Sequence, residues 1–204
     1  MPRFIDLSPP LSGRLAVWPG DVPFTRRVSS LEGGMTLSSV TTTLHAGSHA
    51  DAPLHVTPGA PSIDEVPLGT WVGPCQVVEA RVGARGRVRL EDLSAEPAAP
   101  RILVKTGTFE DRERFTEEFA GLSASLAGAL AERGVVLVGI DTPSVDPWND
   151  AALEAHHALS AAGIAWLEGL VLSHVTPGLY ELLALPLRIE GGDASPVRAV
   201  LVER

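Results

Sequence analysis

The chain is poor in the features that mark secreted, membrane-spanning and nucleic-acid-binding proteins. It has one cysteine, Cys75, so no internal disulfide framework can form. With no signal peptide to be read at its start, it is expected in a reducing cytoplasm. No apolar run approaches the roughly 20 residues that a membrane helix requires, so no membrane association is expected. Basic residues are outnumbered, 16 Lys and Arg against 25 Asp and Glu, for a net charge of -9. That balance lacks the basic footprint of a duplex-binding surface, and no nucleic-acid partner is expected. Long regular elements are excluded at the start, where Pro2, Pro9, Pro10, Pro19 and Pro23 make residues 1–25 a Pro-rich arm.

What remains is 204 residues, 45% hydrophobic and 20% charged, enough for one sizeable core. The expectation is a single domain over 1–204. Short β-branched or apolar runs at 4–7, 35–44, 76–80, 102–105, 135–140, 180–189 and 197–202 read as strands, with Pro186 a break or an edge. Cys75 directly precedes the third run and reads as a small buried hydrophobe. Phe119, Leu122, Leu126 and Leu130 recur at helical spacing, with Thr116 as N-cap and Gly134 closing the end. A second helix should run from Asn149 as N-cap to about 162, stopped by Gly163. Residues 83–89, with three arginines and two glycines, read as an exposed loop. Many strands and few helices describe an α/β fold, or an α+β one, around a mixed β-sheet.

Chemistry concentrates in one window. Three of the six histidines, His45, His49 and His55, lie within eleven residues, where random placement would put about 0.3. Asp51 sits among them, and His and Asp are ligands that Zn²⁺ accepts. On an extended strand, residues four apart lie roughly 13 Å apart, too far to share an ion. The spacing therefore predicts a turn: Gly47 lets the chain curl and Pro53 stops any helix that has begun. Further ligands must come from elsewhere. Glu168 interrupts an apolar run where a carboxylate is costly to bury unless paired or metal-bound, although it could also face solvent at a bend by Gly169. His156 and His157 share the second helix, and helical geometry alone does not choose between them. His174 reads as a structural histidine. Asp141 and Asp146, flanking Pro143, read as turn and capping residues.

These residues resemble the bacterial kynurenine formamidases, within the wider metal-dependent cyclase-like hydrolases. The resemblance runs through Val17-Trp18-Pro19-Gly20-Asp21, the segment from His45 to His55, Gly139-Ile140-Asp141-Thr142-Pro143, Ala155-His156-His157, Leu167-Glu168-Gly169 and Asp193-Ala194-Ser195-Pro196. Ser48 stands where that family usually has Thr or Ala, a small-for-small change. The resemblance implies zinc-dependent hydrolysis of N-formyl-L-kynurenine to L-kynurenine and formate, in tryptophan breakdown. It further implies two Zn²⁺ per subunit: His45, His49, Asp51 and Glu168 would hold one, and Asp51, His156 and Glu168 the other, both carboxylates bridging. His55 would be the general acid/base, with a further zinc ligand as its other reading. Trp18 would line the substrate pocket, with packing as its other reading. A homodimer is implied, the Pro-rich arm a candidate to reach the partner. The rivals are a hydrolase of the same superfamily acting on another amide or a cyclic amide, and a zinc-binding protein without turnover. No Gly-x-Ser-x-Gly elbow supports a serine hydrolase.

Overall fold

The computed structural model describes residues 2–31 and 33–203. Its strands, in chain order, are β1 (Arg3–Asp6), β2 (Thr25–Ser30), β3 (Thr36–Thr41), β4 (His49–Asp51), β5 (Val72–Glu79), β6 (Arg87–Val88), β7 (Arg101–Lys105), β8 (Gly121–Leu122), β9 (Leu137–Ile140), β10 (Ala165–Glu168), β11 (Gly178–Leu183), β12 (Ala194–Pro196) and β13 (Val200–Glu203). Two α-helices, α1 (Ala124–Ala131) and α2 (Glu154–Ala162), accompany them among the described residues. Nine strands form one mixed sheet in the order β1-β13-β11-β5-β7-β9-β10-β4-β12. The expected α/β architecture, a mixed sheet with few helices, is what the chain adopts.

The centre of the sheet, β5-β7-β9-β10, is parallel, and the flanking pairs are antiparallel. Parallel neighbours need crossover connections, and α1 and α2 lie in the two that lead into β9 and β10. Side chains then alternate between two cores. Ile102 and Val104 join Val138, Ile140 and Trp166 beneath the helices, against Leu126, Leu130 and Leu159. Leu103 and Leu167 face the other way, toward Cys75, Leu182 and Leu201. Ile5 of β1 and Ala50 of β4 enter that same second core from near opposite ends of the strand order, so the sheet curls around it.

Both helices begin later than their sequence suggests. Phe119 and Leu122 are buried but not helical: Gly121 N donates to Gly86 O and Leu122 N to Val145 O, which ties this stretch into β8. A β-carbon on Gly121 would sit 2.6 Å from Val145 O, so no side chain fits at this strand position. The N-cap of α1 is accordingly Ser123, not Thr116, its hydroxyl accepting from Leu126 N. For α2, the Asp150 carboxylate takes up the backbone N–H groups of Ala152 and Glu154, so the turn after Asn149 stays non-helical. The expected end is met by Gly163 at φ +68°. Residues 83–89 are not simply a loop: Arg87 lies in β6 and reaches Asp146 and Asp150 at 3.1 and 2.6 Å.

The arm is part strand and part irregular coil. Its first segment pairs with β13 at the sheet edge, and Leu7 and Leu15 are buried against the body. Beyond it, β2 and β3 form a separate two-stranded ribbon whose twelve residues are all exposed. A ribbon of two strands is marginal in water by itself.

Burial sets a contrast that is open to test. Leu103→Ala, at a fully buried central position, should cost about 2–5 kcal/mol in urea unfolding, whereas Val40→Thr on the ribbon should change monomer stability by less than about 0.5 kcal/mol.

Candidate metal centre

The cluster is assembled by strand register. β4 pairs antiparallel with β10, setting Asp51 opposite Trp166 and His49 opposite Glu168. Paired residues share a face, and residues two apart on a strand do too, so all four side chains point to the helix-covered side. There α2 supplies His156, which is buried, while His157 is exposed. The expected turn holds for His45 but not for His49 and Asp51. His49–Asp51 is extended, and only His45 arrives by a bend, at Gly47 with φ +65°. Pro53 begins a short 3-10 turn, Pro53–His55, rather than ending a helix, as suits a residue whose missing N–H is no loss at a first turn.

That bend depends on a close approach of two backbones. Gly169, at φ +67°, lies against Gly47, and any β-carbon there would overlap the Gly47 carbonyl. Ser48 Oγ sits 2.9 Å from Gly169 O and 3.2 Å from Leu7 O, joining bend, arm and β10 at one point.

Asp51 and Glu168 are both buried. Trp166 Nε1 donates to Asp51 Oδ2 at 2.9 Å, and Val145 N to Glu168 Oε1 at 2.7 Å. The imidazoles crowd the remaining oxygens: His45 Nδ1 is 3.0 Å from Asp51 Oδ1, His49 Nε2 3.1 Å from Glu168 Oε2, and His156 Nε2 3.3 Å from Glu168 Oε1. Each ring has its other nitrogen at an outer acceptor: His49 Nδ1 3.0 Å from Gly47 O, His156 Nδ1 2.7 Å from Asp146 Oδ2, His45 Nε2 3.0 Å from Asp193 Oδ2. Outer N–H groups held this way leave the inner nitrogens for a cation, the arrangement that orients metal-binding histidines.

Charge leads to the same reading. Burial pushes the Asp51 carboxyl up, yet His156, His45 and His49 hold it well below the usual range. Glu168 is lowered as well, since His156 and His49 outweigh burial and the repulsion of Asp51. Burial pushes His45 down, but Asp51, then Asp193 and Glu168, raise it to about 10. His49 and His156 are raised by the same carboxylates against their own burial. Without metal, then, protons on imidazoles balance the two carboxylates. Even so, Asp51 Oδ1 is buried with no hydrogen bond in good alignment, His45 Nδ1 at 3.0 Å being poorly directed toward it. An orphaned carboxylate oxygen amid imidazole nitrogens fits a divalent cation. His45, His49 and Asp51 offer ligand atoms within 4.8 Å of one another, as do Asp51, His55 and His156, and His45, His55 and Asp193.

The cluster floors a cavity of about 510 Å³. His55 lines it, half-exposed, with Nδ1 3.3 Å from Asp193 Oδ2. Trp18 lines it as well, and packs edge-on to Phe115 at 5.4 Å and tilted on Trp148 at 4.8 Å, so its pocket and packing roles coincide. His174 lies apart, its Nε2 3.0 Å from Asp6 O. Sequence reasoning did not single out two acids: Asp193, which touches both His45 and His55, and Asp146 as the partner of His156. Asp146 was read as a cap, and it is one, accepting from Ala155 N and His156 N. The proximity of Asp193 to Gly191-Gly192, where the backbone turns, was its one local signal.

Paired buried carboxylates ringed by imidazoles at the foot of a cavity form a candidate divalent-metal site. The chain belongs to the family described as "Putative cyclase", whose model matches residues 5–147. It is 41% identical over 208 residues to a kynurenine formamidase of Sphingopyxis alaskensis, covering 100% of this chain and 99% of that one. To a kynurenine formamidase of Bacillus cereus it is 39% identical over 203 residues, covering 98% and 97%. A solved structure described as a potential metal-dependent hydrolase with cyclase activity superposes with a TM-score of 0.85 at 27% identity, covering 100% of this chain and 99% of that chain.

Metal must displace imidazole protons, which fixes the sign of a pH effect. In the metal-free protein, the stability contributed by His45 is complete below its ordinary 6.5 and is lost as pH rises through about 10. Affinity for Zn²⁺, used as a probe, should therefore climb with pH over that interval, with protons released on binding. Calorimetry in buffers of different ionisation enthalpy reads both; an affinity indifferent to pH would contradict the protonated cluster.

Proposed function

We propose that this chain, acting as one hydrolase domain over 1–204, converts N-formyl-L-kynurenine to L-kynurenine and formate, with two Zn²⁺ per subunit. The observation that carries this reading is the convergence of His45, His49, Asp51, His156 and Glu168, from three separate parts of the chain, at the floor of an aromatic-walled cavity. Relatives at about 40% identity over their whole length support the substrate. The five side chains would hold the metal, Asp51 and Glu168 as its carboxylate ligands. Bound zinc supplies Lewis acidity, which makes hydroxide accessible at neutral pH and polarises a carbonyl oxygen.

The rest of the chemistry belongs to the chain. Amide cleavage needs a proton on the departing aryl amine, and His55 is the cavity imidazole left over for it. With its Nδ1–H donated to Asp193, the ring keeps Nε2 free to take a proton from the attacking water and return it to the amine nitrogen as the C–N bond breaks. Asp193 is thus a positioning residue for His55. Trp18 and Phe115 present the apolar wall against which the aryl ring of the substrate is oriented. Asp146, itself anchored by Arg87, keeps His156 turned toward the carboxylates.

A second reading of His55, as a further metal ligand, is favoured by its presence in two of the three ligand groups. One variant separates the two. His55→Ala should retain its zinc, measured by elemental analysis, while formate release falls about 10²–10⁴-fold. Loss of zinc along with activity would make His55 a ligand, and an unchanged rate would remove it from the chemistry. For the wild type, chelation should abolish formate release from N-formyl-L-kynurenine and returned zinc should restore it.

A homodimer is part of the same proposal, as is a cytoplasmic setting; no helix among the described residues is long and apolar enough to cross a membrane. The exposed ribbon of β2 and β3 supports the dimer, since Val28, Met35, Leu37 and Val40 gain burial only from another surface. Light scattering should report a dimer, and the double variant Val28→Asp, Val40→Asp should shift it toward monomer.

A further inference from the structure

One cation in the cavity has no part in the hydrolysis just described. Arg112 lines the cavity, and its guanidinium lies over the Phe109 ring at 5.2 Å. Nη2 donates to Asp141 O at 2.9 Å and Leu170 O at 2.6 Å, while Nε is buried without a hydrogen-bond partner. Arg14, Arg85, Arg87 and Arg198 each have a carboxylate oxygen within 4.0 Å, and Arg112 has none among the described residues; buried Arg101 has none either, but its Nε donates to Thr70 O and it does not line the cavity. The Asp141 carboxylate cannot serve, because it is turned toward Thr106 and Gly107, accepting from both backbone N–H groups and from Thr106 Oγ1. Only the Asp141 carbonyl meets the arginine.

A guanidinium stays ionised in any protein setting, and its charge is costly to withdraw from water without a counter-ion. Two carbonyl oxygens satisfy part of its hydrogen bonding, and the Asp141 and Glu110 carboxylates act on it through space, yet neither forms an ion pair with it. Its anchor on Leu170 lies two residues beyond Glu168, so the cation is held at a fixed place relative to the metal centre. With Nη2 committed to the two carbonyls and Nε buried, Nη1 is the donor left for a ligand, and a charged donor backed by Phe109 on a cavity wall suits a carboxylate.

We propose that Arg112 is a carboxylate-binding subsite, selecting formamides that carry an anionic group away from the bond to be cut. The assignment rests on the formamidase reading and deepens it. N-formyl-L-kynurenine has such a group in its α-carboxylate, and formanilide does not. Arg112 is then a specificity residue, outside the proton transfers.

The test uses substrate charge on zinc-loaded enzyme. Wild type should show kcat/KM about 10- to 100-fold higher for N-formyl-L-kynurenine than for its neutral carboxamide, mainly through KM. Arg112→Gln should erase that ratio, whatever its effect on the rate with formanilide; Arg112→Lys should keep part of it. Calorimetry with the product should give the same order, L-kynurenine losing affinity in Arg112→Gln and L-kynurenine carboxamide not. A clamp that merely ties Asp141 to Leu170 would depress all substrates alike, and that result overturns the assignment. Should Arg112→Gln not fold, wild-type indifference to substrate charge overturns it unaided. Turnover of formanilide and N-formyl-L-kynurenine at equal efficiency would sink the subsite while sparing the formamidase reading; failure to hydrolyse any formamide would sink both.

Discussion

Two carboxylates withdrawn from water face one another at the centre of this structure, and their mutual repulsion must be neutralised. Asp51 and Glu168 can be buried only because imidazoles, or the cation those imidazoles are arranged to share, supply positive charge. Much of the local fold follows from that need. The register of β4 on β10 puts both acids on one face, α2 closes that face with His156, and Asp146 and Gly47 turn two of the rings inward. Removing one member would leave the others as unpaired buried charge.

The same need explains why parts of the site were legible in the sequence. Three histidines and an aspartate in eleven residues are hard to excuse separately, and a glutamate within an apolar run had to be compensated somewhere. The local geometry was not legible. Ligands on an extended strand can converge when alternation and cross-strand register do the gathering, and register is a long-range property. The helix starts failed for a comparable reason. Apolar spacing marked Phe119 and Leu122 as buried, correctly, but the N–H groups of Gly121 and Leu122 go to Gly86 O and Val145 O, distant partners that no local pattern shows. Asp150 captured the N–H groups that would have begun α2 at Asn149. Single acids such as Asp193 carry no pattern, so only contact with His45 and His55 reveals them.

Around the cluster, the Pro-rich arm behaves as a wall. Its prolines prevent regular structure, and the resulting coil folds Leu15 and Trp18 over the cavity, where they meet Phe109 and Phe115. The metal centre and the aromatic chamber are therefore built from different materials: strand register fixes the first, and irregular coil shapes the second. Such a division lets an enzyme family keep its chemistry while altering what it accepts.

β4 is only three residues long, and both of its neighbours come from the other end of the chain: β10 at 165–168 and β12 at 194–196. A nascent chain therefore carries His45, His49 and Asp51 through most of its synthesis with nothing to hold them in place. Contacts spanning more than a hundred residues carry a loop-closure cost, and β4 can dock only after β10 and β12 have been made. Maturation of the enzyme is thereby ordered in time, with the metal site completed only once the C-terminal third has folded around it.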